Sequence, residues 1–304
     1  MLPELAGFVK EAGTLMIITE VGRGLGNSMY VYAAGRALAE HWRTEHKIDS
    51  SFLDAWPHPN YKFGGSWDVV LDKFNISAKR ATRGDVLRHL FRTWIRPIDR
   101  FLYKFKLFDR KVVYFPTTGL IEDFYKIPDD TYLMGYFGED KFFKDIIGII
   151  QKEFSLKDEN KVEIKELLKE IGSCNSVSIH VRRGDVLKLK DCYILDVDYY
   201  REAVGLIKEK IKNPKFYVFS DEIDWCKKNF SGLGIKLNFV EGRKDYEDME
   251  LMRSCKNNIL ANSSFSWWGG YLNSNRKKIV IAPRRFTMFN SGDGSNLPED
   301  WVRV

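Results

Sequence analysis

Two adjacent arginines are the residues of this sequence with the clearest chemical potential. Arg182 and Arg183 directly follow residues 176–181, an apolar segment that predicts a buried strand. A turn containing Gly184 and Asp185 comes next. A guanidinium group is a planar fork of donors that matches phosphate oxygens. At the end of a strand the pair predicts a site for a diphosphate, and the alternative is a structural network between arginine and aspartate.

Polar residues also follow two other predicted strands. Asp221 comes after the strand predicted at 215–220, where it could accept a hydrogen bond from a ribose or a base, or help to cap the next helix. The strand predicted at 257–261 is followed by Asn262, Ser263, Ser264 and Phe265. Hydroxyl and backbone N–H groups at a helix N-terminus form an anion cradle, although a bare Ser-Ser cap is ordinary. Since ligands of open α/β sheets bind at the carboxyl ends of the strands, we expect one site to combine these residues.

A glycine-rich loop near the N-terminus reads Gly-Arg-Gly-Leu-Gly-Asn over residues 22–27. It lies between a strand predicted at 13–20 and a helix predicted at 28–45. The loop is not the dinucleotide-binding fingerprint, which has another glycine spacing and an acidic residue about 20 positions later. Glycine lets a backbone approach a phosphate or a sugar closely, so we expect this loop to contact a ligand.

The second half of the chain alternates regularly between predicted helices and strands. Strands are expected at 176–181, 215–220, 235–240, 257–261 and 278–282, and helices at 140–171, 198–212, from 222, 246–255 and 264–272. This alternation indicates a parallel sheet covered on both faces, that is, a Rossmann-like domain. Asp196-Val-Asp198 is formally a metal-binding DxD signature, but Asp198 stands at a predicted helix start and is interpreted as its N-cap. No metal site is predicted.

Residues 50–130 have no regular pattern apart from one amphipathic helix predicted at 85–106. An apolar stripe on this helix is opposed by basic residues at every fourth position: Arg88, Arg92, Arg96, Arg100 and Lys104. Pro97 should kink the helix. The pattern is typical of a surface helix that covers its own domain, or of a contact with a membrane surface or an anionic acceptor.

Composition is that of a globular chain without a membrane-spanning segment. The 304 residues fit two domains, and 44% apolar residues are enough for a substantial core. The formal net charge of +6 suits phosphate-bearing substrates or an anionic membrane surface and proves neither. No apolar run approaches the roughly 20 residues that span a bilayer, and the N-terminus lacks the basic segment of a secretory signal. With four scattered cysteines, we expect a cytoplasmic protein, free or peripheral at the inner face of the membrane.

Together, several segments resemble one enzyme family. They read GRGLGNSMYVYAAGRALA, LMGYFGEDKFF, SIHVRRGDV, FYVFSDEIDWCKKNF and DMELMRSCKNNILANSSFSWWGGYLN, in this order over most of the chain. On these segments the sequence resembles glycosyltransferase family 11, the α-1,2-fucosyltransferases. The resemblance implies a GT-B architecture of two facing Rossmann-like domains with parallel sheets. It also implies inverting transfer of L-fucose from GDP-β-L-fucose to the 2-hydroxyl of a terminal β-galactoside, without a metal or other cofactor.

The resemblance also implies roles for individual residues. Residues 1–140 would form the acceptor-side domain and residues 141–304 the GDP-fucose domain. Arg182 would hold the β-phosphate with support from Arg183, and His180 and Asp248 would read the guanine. Contacts along the diphosphate would come from Ser263, Ser264 and Phe265, and from Gly24, Gly26 and Asn27 across the cleft. Asp221 and Asn262 complete the expected donor site. Independently of the resemblance, Asp185 is the candidate base for the acceptor hydroxyl because it lies on the loop of the arginine motif, and the alternative is that it only orients Arg182.

Some positions depart from the family pattern. Arg23 replaces a glycine, Ser28 a glutamine and Tyr30 a phenylalanine in the first loop and helix, and Asn257 stands where histidine is common. Gly138 replaces a glutamine, and we expect that change to act on acceptor preference. Two other functions stay open: transfer from another nucleotide sugar or to another hydroxyl, and binding of polyanions by the basic helix. Nucleic acid is not an expected partner.

Overall fold

The computed structural model describes residues 15–22, 24–50, 70–89, 112–115, 120–184, 186–188, 193–286 and 297–304. Over these residues the chain forms two β-sheets whose strands pair in parallel and are covered by helices, so the predicted α/β class with parallel sheets is confirmed. None of the helices in this part of the chain combines the length and the hydropathy that crossing a membrane would need.

The first sheet contains the strands of the N-terminal half in the order β3-β2-β1-β5-β4. Its strands are β1 (Met16–Glu20), β2 (Glu45–Asp49), β3 (Lys79–Arg80), β4 (Val112–Phe115) and β5 (Thr131–Gly135). The helices of this half are α1 (Leu25–Trp42), α2 (Arg83–His89) and α3 (Ile121–Phe124). The central position of β1 places the glycine loop that follows it in the middle of one sheet edge.

Helix α1 differs from its prediction at both ends. It begins at Leu25, inside the glycine loop, rather than at Ser28, and it ends at Trp42 rather than Glu45. Arg43 adopts a left-handed conformation (φ 54°), and its N–H caps the carbonyl groups of the last turn. Glu45 therefore opens strand β2, which the sequence pattern did not predict because four of its five residues are polar or charged.

The second sheet has the order β11-β10-β9-β6-β7-β8. Its strands are β6 (Asn175–Val181), β7 (Pro214–Ser220), β8 (Leu237–Phe239), β9 (Asn257–Ile259), β10 (Val280–Ala282) and β11 (Val302–Arg303). The helices of this half are α4 (Ile147–Glu153), α5 (Lys165–Ser173), α6 (Val197–Lys210), α7 (Ile223–Asn229), α8 (Asp245–Ser254) and α9 (Ser264–Tyr271). The predicted strands β6 to β10 are confirmed, and the short strand β11 was missed.

Both faces of the second sheet are buried, and the side chains of β6 alternate between them as the pleat requires. Val177, Ile179 and Val181 belong to the core on the side of α6 and α7. The intervening polar residues, Ser178 and His180 among them, are also buried but face the opposite side. This alternation directs His180 toward the face that carries α9.

The single helix predicted at 140–171 is wrong, because the structure divides this segment. Helix α4 ends at Glu153, and Leu156 then forms an antiparallel bridge with Phe74. The guanidinium group of Arg253 donates to the carbonyl oxygens of Gln151 and Phe154, at 3.0 and 2.8 Å. These tertiary hydrogen bonds replace the intrahelical bonds that a continuous helix would have made.

Two further helix predictions have different outcomes. The N-cap of α6 is Asp196, whose Oδ1 accepts from the backbone N–H of Tyr199 at 3.1 Å, so the assignment of the cap to Asp198 was wrong. Asp198 lies in the first turn and pairs with Arg201. Of the basic helix predicted at 85–106, the structure describes α2 as far as His89, and the rest lies outside the described residues.

The two sheets share one hydrophobic core. One cluster of buried residues includes Ile17 and Leu133 of the first sheet together with Tyr217 and Trp267 of the second half. Tyr30 of α1 lies at its centre, with its ring centroid 5.0 Å from each of the rings of Trp267 and Trp268 in α9. Helix α1 is therefore packed directly against α9, and this contact brings the first glycine loop to the second sheet.

Candidate functional site

Three adjacent strands of the second sheet deliver the predicted site residues to one edge. β6 lies between β9 and β7, and all three are parallel. Val181 pairs with Ser220, so Arg182 and Asp221 leave their strands side by side. Asn262 follows β9 at the same edge. The structure thus brings together the polar residues that the sequence placed after three separate strands.

Asp221 holds the backbone and the side chain of the arginine segment. Its Oδ2 lies 2.9 Å from Nη1 of Arg182, and its Oδ1 accepts from the backbone N–H of Arg183 at 2.9 Å. A Cβ atom at Gly184 would approach Asp221 Oδ2 to 3.0 Å, so the glycine leaves room for this carboxylate. The side chains of Arg182 and Asp221 remain about one-third and one-quarter exposed, so a ligand can still reach the guanidinium group.

The two arginines have different surroundings. The guanidinium carbon of Arg183 lies 3.8 Å from the ring centroid of Trp225 in α7, which is cation–π geometry. Its Nε is shielded from solvent and has no hydrogen-bond partner among the described residues. Because successive residues leave a strand in different directions, only Arg182 pairs with Asp221 through its side chain. Arg183 is instead held flat against an aromatic ring.

His180 is a buried, neutral histidine beside this edge. Only 5% of it is exposed, and its ring lies 5.4 Å from that of Phe265. Burial and the nearby charge of Arg182 lower the pKa of the imidazole to about 3. Its Nδ1 has no hydrogen-bond partner within the described part of the chain. A buried ring nitrogen without a partner is costly, and a ligand could satisfy it.

The N-terminus of α9 lies next to His180 and is fixed by its own side chains. Ser263 is the extended N-cap residue, and the hydroxyl of Ser266 accepts from the backbone N–H of Ala261 at 2.8 Å. Asn262 is buried, and its amide donates to the carbonyl oxygen of Tyr193 at 2.8 Å. The first N–H groups of any helix lack intrahelical acceptors, so this end of α9 favours an anion. Ser264 and Phe265 in the first turn are partly exposed.

The first glycine loop meets the same helix end from the other sheet. A Cβ atom at Gly26 would lie 2.5 Å from the backbone nitrogen of Phe265 and 2.7 Å from the carbonyl carbon of Ser264. The carbonyl oxygen of Gly26 accepts from Nε1 of Trp268 at 2.9 Å. Gly24 has φ 77°, a conformation that favours glycine. Asn27 follows in the first turn of α1 and is partly exposed.

Asp248 lies near the N-terminus of α8, which starts at the same sheet edge because it follows β8. Burial raises the pKa of its carboxyl to about 7, with smaller contributions from the negative charges of Asp245 and Glu247. The positive charge of Arg243 acts in the opposite direction. Its Oδ1 is shielded and has no partner among the described residues. A shielded carboxyl oxygen without a partner is costly, and a ligand that donates a hydrogen bond could satisfy it.

Two positions that the sequence analysis singled out, Asp185 and Arg23, lie outside the described residues. Asn257, which departs from the family pattern, accepts from the backbone N–H of Ile279 at 2.9 Å and is a structural residue of β9. Within the described part of the chain, no three His, Cys, Asp or Glu side chains form a group that could hold a metal ion.

Sequence reasoning did not single out Arg285, which follows the neighbouring strand β10. Its guanidinium carbon lies 4.8 Å from the ring centroid of Tyr193, the residue whose carbonyl oxygen binds Asn262. The signal was present in the sequence, since Arg284 and Arg285 follow the strand predicted at 278–282 after a single residue, Pro283.

Comparisons with known proteins identify the family of this chain. Residues 100–304 match the family model for glycosyl transferase family 11. An α-1,2-colitosyltransferase of Escherichia coli is 31% identical over 95% of this chain and 99% of its own length. A galactoside α-(1,2)-fucosyltransferase 1 of Aotus azarae is 28% identical over 54% of this chain and 49% of its own length.

Among solved structures, the α-1,6-fucosyltransferase NodZ soaked with GDP-fucose superposes with a TM-score of 0.51 at 17% identity, covering 85% of this chain and 92% of that one. This similarity confirms the fold, a GT-B-like arrangement of two Rossmann-like sheets. The family match covers the strand ends that carry Arg182, Asp221 and the start of α9, so the chain belongs to glycosyltransferase family 11 and is a glycosyltransferase.

Proposed function

We propose that this glycosyltransferase moves L-fucose from GDP-β-L-fucose to the 2-hydroxyl of a terminal β-galactoside and forms an α-1,2 linkage with inversion. One observation carries the proposal: Arg182, which is held by Asp221, and the N-terminus of α9 follow adjacent strands of one sheet. Together they form a cationic, anion-binding edge of the right kind for a nucleotide diphosphate. The α-1,2 linkage is supported by the names of both relatives, at 31% and 28% identity, and the fucosyl group by the name of the relative at 28%.

In this proposal the donor lies on the second sheet. Its diphosphate would take hydrogen bonds from Arg182 and from the first turn of α9, at Ser263, Ser264 and Phe265. The guanine would be read by His180 and Asp248, because a carboxylate accepts from guanine N1–H and N2–H, which adenine lacks. Arg183 supports the arginine segment through Trp225 rather than through the phosphate.

The reaction is a single displacement. The bond between the anomeric carbon of fucose and the β-phosphate oxygen breaks, and its electron pair stays on GDP. The galactose 2-hydroxyl forms the new bond from the opposite face and loses its proton. As the bond breaks, negative charge grows on the diphosphate, so a fixed Arg182 stabilises the transition state more than the ground state. The guanidinium supplies the cation in this scheme, and we expect transfer to survive chelation of divalent metals.

The first sheet would carry the acceptor side of the cleft, with residues 1–140 as the acceptor domain and 141–304 as the donor domain. The glycine loop reaches the donor edge through Gly26, which packs on α9, while Gly24 and Asn27 lie at its surface. Asp185 would take the hydroxyl proton, or would orient Arg182. Since Asp221 already orients Arg182, the base role is the one that Asp185 can add.

The direct experiment is incubation with GDP-fucose and a small set of β-galactosides, with the product linkage determined by NMR. An α-1,2-fucosyl product, lost in Arg182→Ala and retained in EDTA, is the expected result. Near-wild-type turnover by Arg182→Ala would contradict the assignment of the phosphate cation. GDP should bind more tightly than other nucleoside diphosphates, whereas a polyanion-binding protein would bind polyanions in general with a steep salt dependence.

A second donor is favoured by one specific observation. The relative that matches 95% of this chain is named for the transfer of colitose. A colitosyl donor should therefore be compared with GDP-fucose in the same assay. Preference for the colitosyl donor would keep the site assignments and change the identity of the sugar. Contact of the basic segment 85–106 with a membrane remains a separate prediction, tested by binding to anionic vesicles.

A further inference from the structure

Arg285 lies at the carboxyl end of a fourth adjacent strand. β10 pairs in parallel with β9 on the side away from β6, so the sheet order at this edge is β10, β9, β6, β7. The segment Pro283–Arg285 follows Ala282 directly. Arginines therefore follow the two strands on either side of β9, while β9 itself leads to Asn262, Ser263 and the N-terminus of α9.

The side chain of Arg285 is directed by Tyr193. The guanidinium carbon lies 4.8 Å from the centroid of the tyrosine ring, which is within the range of a cation–π contact. The carbonyl oxygen of Tyr193 accepts from the amide of Asn262 at 2.8 Å. Arg285 is thus connected through one residue to the segment that begins the anion-binding end of α9.

The spacing of the strands sets the distance between the strand ends from which the two arginine segments leave. Neighbouring strands are about 4.8 Å apart, so the ends of β6 and β10 are roughly 10 Å apart with the end of β9 midway. A group seated over the β9 end would lie about 5 Å from either flanking strand, a distance that an arginine side chain covers. An anion above Ser263 and Ser264 would be flanked by Arg182 on one side and Arg285 on the other.

We propose that Arg285 is a second diphosphate-binding cation of the donor site, on the opposite side of the α9 N-terminus from Arg182. This inference rests on the proposed nucleotide-sugar function and names a residue that was not part of it. The diphosphate carries more than one negative charge, and a cation on each side neutralises it better than one alone. Tyr193 positions the guanidinium group, and its carbonyl oxygen connects it to Asn262 after β9.

The test compares a diphosphate with a monophosphate. Titration calorimetry with GDP and with GMP is carried out on the wild type, Arg285→Ala, Arg285→Lys and Tyr193→Leu. We expect Arg285→Ala to weaken GDP binding about tenfold or more and to change GMP binding less than twofold, because the lost contact is to the second phosphate. Arg285→Lys keeps the charge and should recover part of the loss.

Arg284→Ala is the matched control, since it removes the same charge one residue away from an exposed side chain. GDP affinity within twofold of the wild type is expected for this variant. Thermal melting of each variant checks that the fold is intact. Equal losses in Arg284→Ala and Arg285→Ala would overturn the proposal by showing a general charge effect. Equal weakening of GDP and GMP by Arg285→Ala and Tyr193→Leu would overturn it in favour of a purely structural pair.

Failure of the proposed function has a different signature. If wild-type protein binds GDP no better than ADP or UDP, the guanine assignment fails before any variant is compared. The arginine test then uses the nucleotide that binds most tightly, in its diphosphate and monophosphate forms. Arg285→Ala should again weaken binding of the diphosphate more than binding of the monophosphate. Arg285 and the identity of the base are therefore tested independently.

Discussion

Asp221 positions Arg182 through the 2.9 Å contact between its Oδ2 and Nη1 of the arginine, while its Oδ1 holds the following backbone N–H. One carboxylate on β7 therefore fixes the segment that follows β6. We predict that Asp221→Asn lowers kcat/KM for the donor by about 10- to 100-fold, because a neutral amide holds the guanidinium less well. Steady-state kinetics with varied GDP-fucose measures this loss.

Asp224→Asn is the control for that prediction, because Asp224 lies three residues further on and its side chain is 95% exposed. It removes the same charge and should leave kcat/KM within twofold of the wild type. If Asp221→Asn retained full activity, Arg182 would not depend on this carboxylate, and Asp185 would become the residue that orients it.

Asp248 predicts a pH dependence of nucleotide binding. Its carboxyl has a pKa of about 7, raised first by burial and then by Asp245 and Glu247. The N1–H and N2–H groups of guanine are both donors, so Asp248 must be an ionised carboxylate when it binds them. The ionised fraction rises from about 0.1 at pH 6 to about 0.9 at pH 8, and GDP affinity should rise about tenfold over this range.

The raised pKa of Asp248 has the opposite effect on the stability of the free protein: GDP affinity rises with pH, whereas the contribution of this group to stability falls. Because the folded pKa lies above the unfolded one, the folded state binds the extra proton, and this group makes stability fall as pH rises from about 4 to 7. Asp248→Asn should remove this slope and the pH dependence of GDP affinity together. Calorimetry from pH 6 to 8 and urea unfolding measure the two effects. An unchanged pH profile in the variant would exclude Asp248 from guanine recognition.

Asp185 is tested by separating turnover from binding. If it takes the proton of the acceptor hydroxyl, Asp185→Asn should lower kcat at least tenfold while GDP affinity stays constant, since a general base typically contributes about 10²–10⁴-fold. If it only orients Arg182, GDP affinity should fall instead. Measuring kcat and the GDP dissociation constant on the same preparation distinguishes these results.

The sequence was sufficient to predict that these strand ends meet at one sheet edge, and insufficient to predict the side-chain contacts made there. Strand ends are readable because apolar segments stop where polar residues begin, as at Arg182 and Asn262. The stacking of Arg183 on Trp225 depends on which side of the sheet each residue faces after the strand ends. The break after Glu153 depends on Arg253, a hundred residues later, so no local pattern contained it.

Gly26 illustrates the same limit and provides a prediction about stability. The sequence suggested that this glycine lets the loop approach a ligand, whereas its Cβ position is occupied by the backbone of Ser264 and Phe265. Backbone atoms cannot rotate away, so Gly26→Ala should separate α1 from α9. We predict a loss of about 1–3 kcal/mol in the free energy of unfolding, measured by urea denaturation.

Gly205→Ala is the matched substitution, because no atom lies within 4 Å of the added Cβ in α6. Alanine is the better helix former, so this variant should be as stable as the wild type or slightly more stable. Equal stability of Gly26→Ala and the wild type would mean that α1 and α9 are not tightly packed against each other at Gly26.

Gly138 predicts an effect on the acceptor that is separable from donor binding. A Cβ atom there would lie 2.6 Å from Cε1 of Tyr136, so any larger residue must move the tyrosine ring. Tyr136 follows β5, is 42% exposed, and its ring centroid lies 6.1 Å from that of Tyr30. Tyr30 is one helical turn from Gly26, so the exposed ring lies beside the proposed cleft.

An exposed aromatic ring at this place is suited to cover the apolar face of an acceptor sugar. We therefore expect Gly138→Ala to raise the acceptor KM several-fold and to leave GDP affinity unchanged, and Tyr136→Phe to keep wild-type acceptor KM because it keeps the ring. In a Tyr136→Ala background the effect of Gly138→Ala should disappear, since the glycine acts only through the ring. An effect that persists in the double variant, or a fall in GDP affinity, would show that Gly138 acts on the backbone of the cleft rather than on the acceptor platform.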